Sequence, residues 1–249
     1  MPESKKTSDV RSLKAARALL RQQRPKRWSY SAYAAHGKCP LSFGLGAVLG
    51  LRKDEAPSPP MIRGTKIHKE AEYFLKDELD GLPKSLQKLK WEFIGLQKQK
   101  PIVEQFWNAN PDFTPAKEYR GWLVLKADAA LPPRKGVAYA FDHKTGREYD
   151  SHCEQAELTS VVTFGRYPRS ERIEVEFWYI DDGDVASYRF DRSEMKHWRS
   201  KWQDLGNKVM SEKKYLATPS DDACRWCPHR TDRGGLCPEY KVLGENYRR

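Results

Sequence analysis

Two apolar runs constrain the fold more than any other feature: EYRGWLVLKADAAL and GVAYAFDHKTG, joined around PPRKG at residues 132–136. Both are rich in β-branched and aromatic residues, and the connector carries two prolines and a glycine, so the pattern predicts a strand pair. A second pair follows. RIEVEFWYI alternates along its length and meets DVASYRF across Asp181-Asp182-Gly183, a short turn suited to a hairpin. Residues 152–166 between the pairs read as a helix, and so does the stretch from Asp191 to Met210. Helices first, then hairpin, helix, hairpin and helix predict an α/β fold, a mixed sheet flanked by helices.

The N-terminal half reads as helical. Leu13, Ala16 and Leu20 give a weak apolar stripe to a helix within Val10 to Gln22. Ser29 or Ser31 can cap a short helix that stops near Gly37, and a second apolar helical stretch runs from Cys39-Pro40 to Leu51. APSPP is a loop. A long helix is expected from about Met61 to Leu79, with Ile67, Ala71, Phe74 and Leu75 on its buried side, and Leu86 to Trp107 is expected to be helical too, with Pro101 as a candidate break.

The chain has 249 residues, 39% hydrophobic and 12% aromatic, enough for one large domain or two small ones and for a sizeable core. No apolar run approaches the roughly 18 residues a membrane span needs, and no signal peptide is evident at the N-terminus. The expectation is a soluble, cytoplasmic protein. The formal net charge is +11, and residues 1–27 hold nine Lys or Arg against Glu3 and Asp9. Such an arm either touches nucleic acid or is a solvated tail.

FDHKTG ends the second strand run. Asp142 and Lys144 share a parity, so on a strand both point to one face. They form either a surface ion pair or a metal ligand beside a charge stabiliser. Asp128 ends the preceding run and can converge with Asp142, and two carboxylates with water suit Mg²⁺ or Mn²⁺. His68, four residues after Gly64 on the long helix, is the candidate third ligand, Gly64 letting another backbone approach. Each residue alone also has a structural reading: a helix histidine, a turn aspartate, a chance Asp-x-Lys.

Of the five cysteines, Cys224, Cys227 and Cys237 crowd one irregular segment and Cys39 lies far upstream. An odd count in a chain of this size argues against a secreted disulfide framework. Four thiolates suit a [4Fe–4S] cluster or tetrahedral Zn²⁺, and spacing does not separate the two. A local zinc knuckle of the last three with His229 is the other arrangement. Cys153 reads as a buried or free thiol.

The order of these elements carries a resemblance. SYSAYAAHGKCPLSFGLGAVLGL, RGTKIHKEAEYFL, LKADAAL, AFDHKTG, EQAELTSVV and CRWCPHRTDRGGLCP succeed one another from about Trp28 to Pro238. In that order they resemble the RecB-like branch of the PD-(D/E)xK nucleases, which includes the CRISPR-associated iron–sulfur exonucleases and the nuclease domains of AddB-type helicase-nucleases. The resemblance implies a restriction-endonuclease-like fold with an N-terminal helical layer and a cysteine-ligated closure. The chain is then expected to divide into the basic arm at 1–27, a single nuclease domain over 28–240 and a tail at 241–249.

The resemblance also implies roles. His68, Asp128 and Asp142 would bind the divalent ion, helped by the backbone carbonyl of His143. Lys144 would act on the transition state, and Gln155 would open the following helix and help place DNA. Cys39, Cys224, Cys227 and Cys237 would hold a [4Fe–4S] cluster. The implied activity is metal-dependent DNA hydrolysis, as an exonuclease in preference to an endonuclease, on single strands or free ends, where Trp, Tyr and Arg suit base stacking and phosphate tracking. Two positions depart from the family pattern. Leu125 stands where Gly-x-x-Asp is usual, and Thr159 stands where a tyrosine is usual. Glu118 is a candidate outer carboxylate. A catalytically idle nucleic-acid-binding scaffold and a zinc-stabilised binding module are the competing functions.

Overall fold

The computed structural model describes residues 10–51, 56–117, 120–146 and 151–240. Glu118, the start of the basic arm (1–9) and residues 241–249 lie outside them. The chain divides into two compact units, one of residues 56–203 and one that joins residues up to 55 with those from 204 onward.

The 56–203 unit is built on a five-stranded sheet: β1 Ile102–Ala109, β2 Leu123–Arg134, β3 Val137–Lys144, β4 Arg172–Tyr179 and β5 Asp184–Asp191, in that order. β3 and β4 pair in parallel and the other neighbours antiparallel. A parallel step needs a crossover, and helix α6, Ser151–Arg166, supplies it. On one face, α4 (Pro59–Leu75) and α5 (Lys90–Lys98) bury Ile67, Ala71, Phe74, Phe93 and Leu96 with Ala129, Leu131, Phe141 and Trp178. On the other, Ala156 and Phe164 of α6 pack with Ala138, Ile173, Val175 and Phe177. Phe93 and Phe177 are wholly buried, each contributing roughly 1.5–3 kcal/mol of transfer free energy.

Two turns follow from sequence chemistry. Lys135 (φ 50°) and Gly136 (φ 82°) are both left-handed, as a primed two-residue hairpin turn requires. The β2–β3 connector is therefore shorter than PPRKG: Pro132 to Arg134 stay in β2, across a register shift. Gly183 (φ 81°) turns β4 into β5.

The long helix buries Ile67, Ala71, Phe74 and Leu75 as expected. It starts earlier, because prolines fit a first turn whose N–H groups have no intrahelical acceptor, and ends at Leu75 before left-handed Asp77. One expectation fails. Residues 102–107 are strand β1 and not the end of a helix. Pro101 cannot continue α5, β-branched Ile102-Val103 suit a pleated surface, and Val103, Trp107 and Ala109 bury where β1 pairs with β2.

In the other unit, Ser12 caps α1 (Leu13–Leu20) and Ser29 caps α2 (Tyr30–Lys38). The apolar stretch after Cys39 is α3 (Pro40–Phe43) and a π-helical turn, Gly44–Val48. A Cβ at Gly44 would stand 2.6 Å from the Tyr215 ring, so only glycine fits this approach. The distant ends of the chain are tied here: Leu41 N–H donates to Leu216 O (3.1 Å), Thr218 Oγ1 donates to Lys38 O (2.7 Å), and His36 Nε2 meets Glu212 Oε2 at 3.0 Å. Helix α7 (Met195–Met210) precedes this segment, and a short helix α8 (Asp221–Cys224) follows it, capped by Ser220. Among the described residues no helix is long and apolar enough to cross a membrane.

Candidate metal centre and cysteine pocket

The β2–β3 ladder begins at Ala129 opposite Phe141. Asp128 and Asp142 lie one residue beyond that pair, where the strands stop pairing. Asp128 fills the gap. Its Oδ2 accepts from the backbone N–H of His143 at 2.8 Å, and its Oδ1 lies 3.4 Å from Nδ1 of His68 on α4. Burial works against the Asp128 carboxylate, yet the hydrogen bond from His68 and the neighbouring His143 bring its pKa down to about 2. His68 is raised in turn, chiefly by the same hydrogen bond.

Asp142 and Lys144 point to the α6 face. Lys144 Nζ lies 2.6 Å from Asp142 Oδ1 and donates to Gln155 Oε1 at 3.1 Å, while Gln155 Nε2 donates to Asp142 Oδ2 at 2.7 Å. One glutamine from the first turns of α6 thus clamps both groups. The Asp142 pKa is raised: burial dominates, and the attraction of Lys144 only partly offsets it. The two carboxylates are pushed apart in pKa, the pattern of acidic pairs that share a site.

One ligand atom from each of His68, Asp128 and His143 lies within 4.8 Å of the others. The His143 ring is buried, burial lowers its pKa to about 4, and its Nε2 has no hydrogen-bond partner. Carboxylates, an imidazole and an unpartnered buried nitrogen form a donor set that fits a divalent cation.

The sequence reading placed His68, Asp128, Asp142, Lys144 and Gln155 on the right elements. It assigned His143 only a backbone role and missed the ring. It also missed Glu104, which forms an ion pair with Lys126. Glu104 falls opposite Asp128, between the pairs Val103↔Ala129 and Gln105↔Ala127, with a left-handed φ of 54°. Its helix assignment hid that register. Gly64 does make room, though for a side chain: a Cβ there would meet Thr145 Oγ1 at 3.1 Å. Thr159 is buried.

Cys39, Cys224, Cys227 and Cys237 line a single pocket with Ser42, Ala217 and His229. Ser42 Oγ lies 3.5 Å from Cys227 Sγ. The Cys237 thiol is pushed up in pKa by burial, with Cys39 and Cys227 adding to the effect. The loop is tightly folded: Cys237 N–H donates to His229 O at 2.6 Å, and a Cβ at Gly235 would stand 2.2 Å from the His229 carbonyl carbon. Four thiols in one pocket fit a thiolate-held metal group. Cys153 is an exposed free thiol on α6.

Residues 27–134 match the family model of the PD-(D/E)XK nuclease superfamily, a span that includes Cys39, His68 and Asp128. No curated protein matches the chain. Among solved structures, a candidate exonuclease from Eubacterium rectale is similar at 12% identity and a TM-score of 0.45, over 90% of this chain and 93% of that one. The protein SSO0001 is similar at 14% identity and a TM-score of 0.41, over 92% and 96%. The mixed five-stranded α/β sheet with helices on both faces is consistent with the restriction-endonuclease-like fold of that superfamily.

Proposed function

We propose that this chain is a divalent-metal-dependent DNA nuclease of the RecB-like branch, an exonuclease acting on single strands or free ends in the cytoplasm. The observation that carries the reading is Asp128 at the end of the β2–β3 ladder, which meets His68 and accepts from the N–H of His143, one residue from Asp142 and its ion pair with Lys144. His68, Asp128 and Asp142, with the His143 carbonyl, would hold Mg²⁺ or Mn²⁺. Held there, a divalent ion would supply charge neutralisation at the phosphate and a lowered pKa for bound water.

The residues supply the rest. The Asp128 carboxyl, held well below its ordinary pKa by His68 and His143, would offer the ion a charged oxygen. Lys144 presents an ammonium on the same face as Asp142, where it stabilises the extra negative charge of a pentavalent phosphate. Gln155 fixes the direction of both side chains through its two amide atoms. The surface ion pair, the other reading of Asp-x-Lys, does not account for the Gln155 clamp on both groups.

The four cysteines would hold a [4Fe–4S] cluster that ties the two ends of the chain. The resemblance carried by the order of Cys39, Cys224, Cys227 and Cys237 favours the cluster over tetrahedral zinc, which the same four thiolates also suit.

End-labelled linear DNA and closed circular DNA, single- and double-stranded, test the function with Mg²⁺, Mn²⁺ or chelator. Release of labelled nucleotides from linear DNA only, abolished by chelator, is expected. DNA binding without hydrolysis under either ion would replace the nuclease with an idle scaffold.

A further inference from the structure

His143 belongs to β3 but points away from Asp142 and Lys144, into the aromatic side of the sheet. Its ring centroid lies 5.2 Å from Phe93, 5.6 Å from Trp178 and 6.1 Å from His68. The residue is 3% exposed, and its buried Nε2 has no hydrogen-bond partner. A buried polar atom is normally satisfied, and each exception needs a reason. An aromatic cage gives none, since phenylalanine would fill the same space with no polar atom to satisfy. One ring nitrogen nevertheless falls within 4.8 Å of the ligand atoms of His68 and Asp128. The backbone N–H of the same residue donates to Asp128 at 2.8 Å, which holds the part of β3 that carries the ring against that carboxylate.

We infer that the His143 imidazole is itself a ligand of the metal centre, giving it two nitrogen donors, and that it makes the site favour Mn²⁺ over Mg²⁺. The inference rests on the metal-site reading above and adds a residue to it. Mg²⁺ prefers oxygen and gives up its water reluctantly, while imidazole suits first-row transition ions. Each histidine ligand therefore shifts the balance away from Mg²⁺. The ring's apolar surroundings exclude water that would compete for the position.

Pulsed EPR of bound Mn²⁺ counts coupled nitrogens directly, and calorimetry gives Mn²⁺ and Mg²⁺ affinities; neither depends on turnover. Wild type is expected to show two imidazole nitrogens. His143→Phe keeps the backbone N–H and fills the cage; it should show one, with Mn²⁺ affinity about tenfold or more lower, as when metal-site partners are removed, and Mg²⁺ affinity little changed. His68→Gln guards against a misfolded His143→Phe: it should retain one nitrogen, from His143. Mn²⁺ bound by wild type through a single nitrogen overturns the inference and leaves the metal-site reading standing. Wild type that binds no Mn²⁺ overturns both.

Discussion

Asp128 takes the place of a ladder residue for His143: its carboxylate accepts the His143 N–H that the next β2 carbonyl would otherwise receive. A side chain thus closes the sheet where the strands stop pairing, and its second oxygen is left for His68. In the proposed site, structure and ligation would depend on one group. Asp128→Ala should therefore lose metal and also stability, by about 1–3 kcal/mol, since it leaves a buried N–H unsatisfied. Denaturant unfolding alongside Mn²⁺ titration checks this. Lost metal binding with unchanged stability would mean that the hydrogen bond contributes nothing to the fold.

Asp142 and Lys144 should separate by metal affinity and not by activity. Asp142→Asn should abolish cleavage and weaken Mn²⁺ binding, because a neutral amide is a poor ligand for a hard cation. Lys144→Ala should reduce cleavage by about 10²-fold or more while metal and DNA still bind, the cost of removing one preorganised stabilising group. Digestion at the wild-type rate by either variant would eliminate this site.

The cysteine pocket predicts co-dependence of residues far apart in sequence. Cys39→Ala should lower bound metal as much as Cys227→Ala does, and Cys153→Ala should leave it unchanged, because Cys153 lies outside the pocket. Metal analysis and the visible spectrum of the purified proteins decide: a brown protein with about four irons supports the cluster, and one zinc replaces it. Full metal content in Cys39→Ala would reduce the site to the C-terminal three.

Gly165 in α6 faces the Phe113 carbonyl so closely that a Cβ would stand 1.9 Å from its oxygen. Gly165→Ala should cost stability, roughly 1–3 kcal/mol as for other overpacked sites. A melting temperature at or above wild type would mean that the two backbones separate freely.

Much of this was legible in the sequence where one local rule governs one element. Ser29 caps a helix as short polar side chains do, and the alternation of RIEVEFWY became β4 with its buried residues on schedule. Asp-x-Lys parity put both groups on one face. What escaped depended on partners distant in the chain. β1 looked helical because only pairing with β2 reveals Val103 and Trp107 as buried strand residues, and Glu104 vanished with it. The His143 ring escaped for a related reason. A strand pattern assigns it to the core face, and only the approach of α4 brings His68 beside it.

Glu212 predicts how the cysteine-bearing unit responds to acid. Burial disfavours its charge, but N–H groups of Lys214, Tyr215 and Lys213 and the ring of His36 all hold the carboxylate, and its folded pKa lies below the ordinary value. A depressed carboxylate stabilises the fold at pH above its unfolded pKa of about 4.3. That contribution fades as pH falls through the folded value and is gone below both. Glu212→Gln should therefore melt lower than wild type near neutral pH, and the gap should close as pH drops under about 4. Paired melting curves across pH 3 to 7 measure it. A gap that stays constant over this range would mean that the contacts around Glu212 do not depend on its charge.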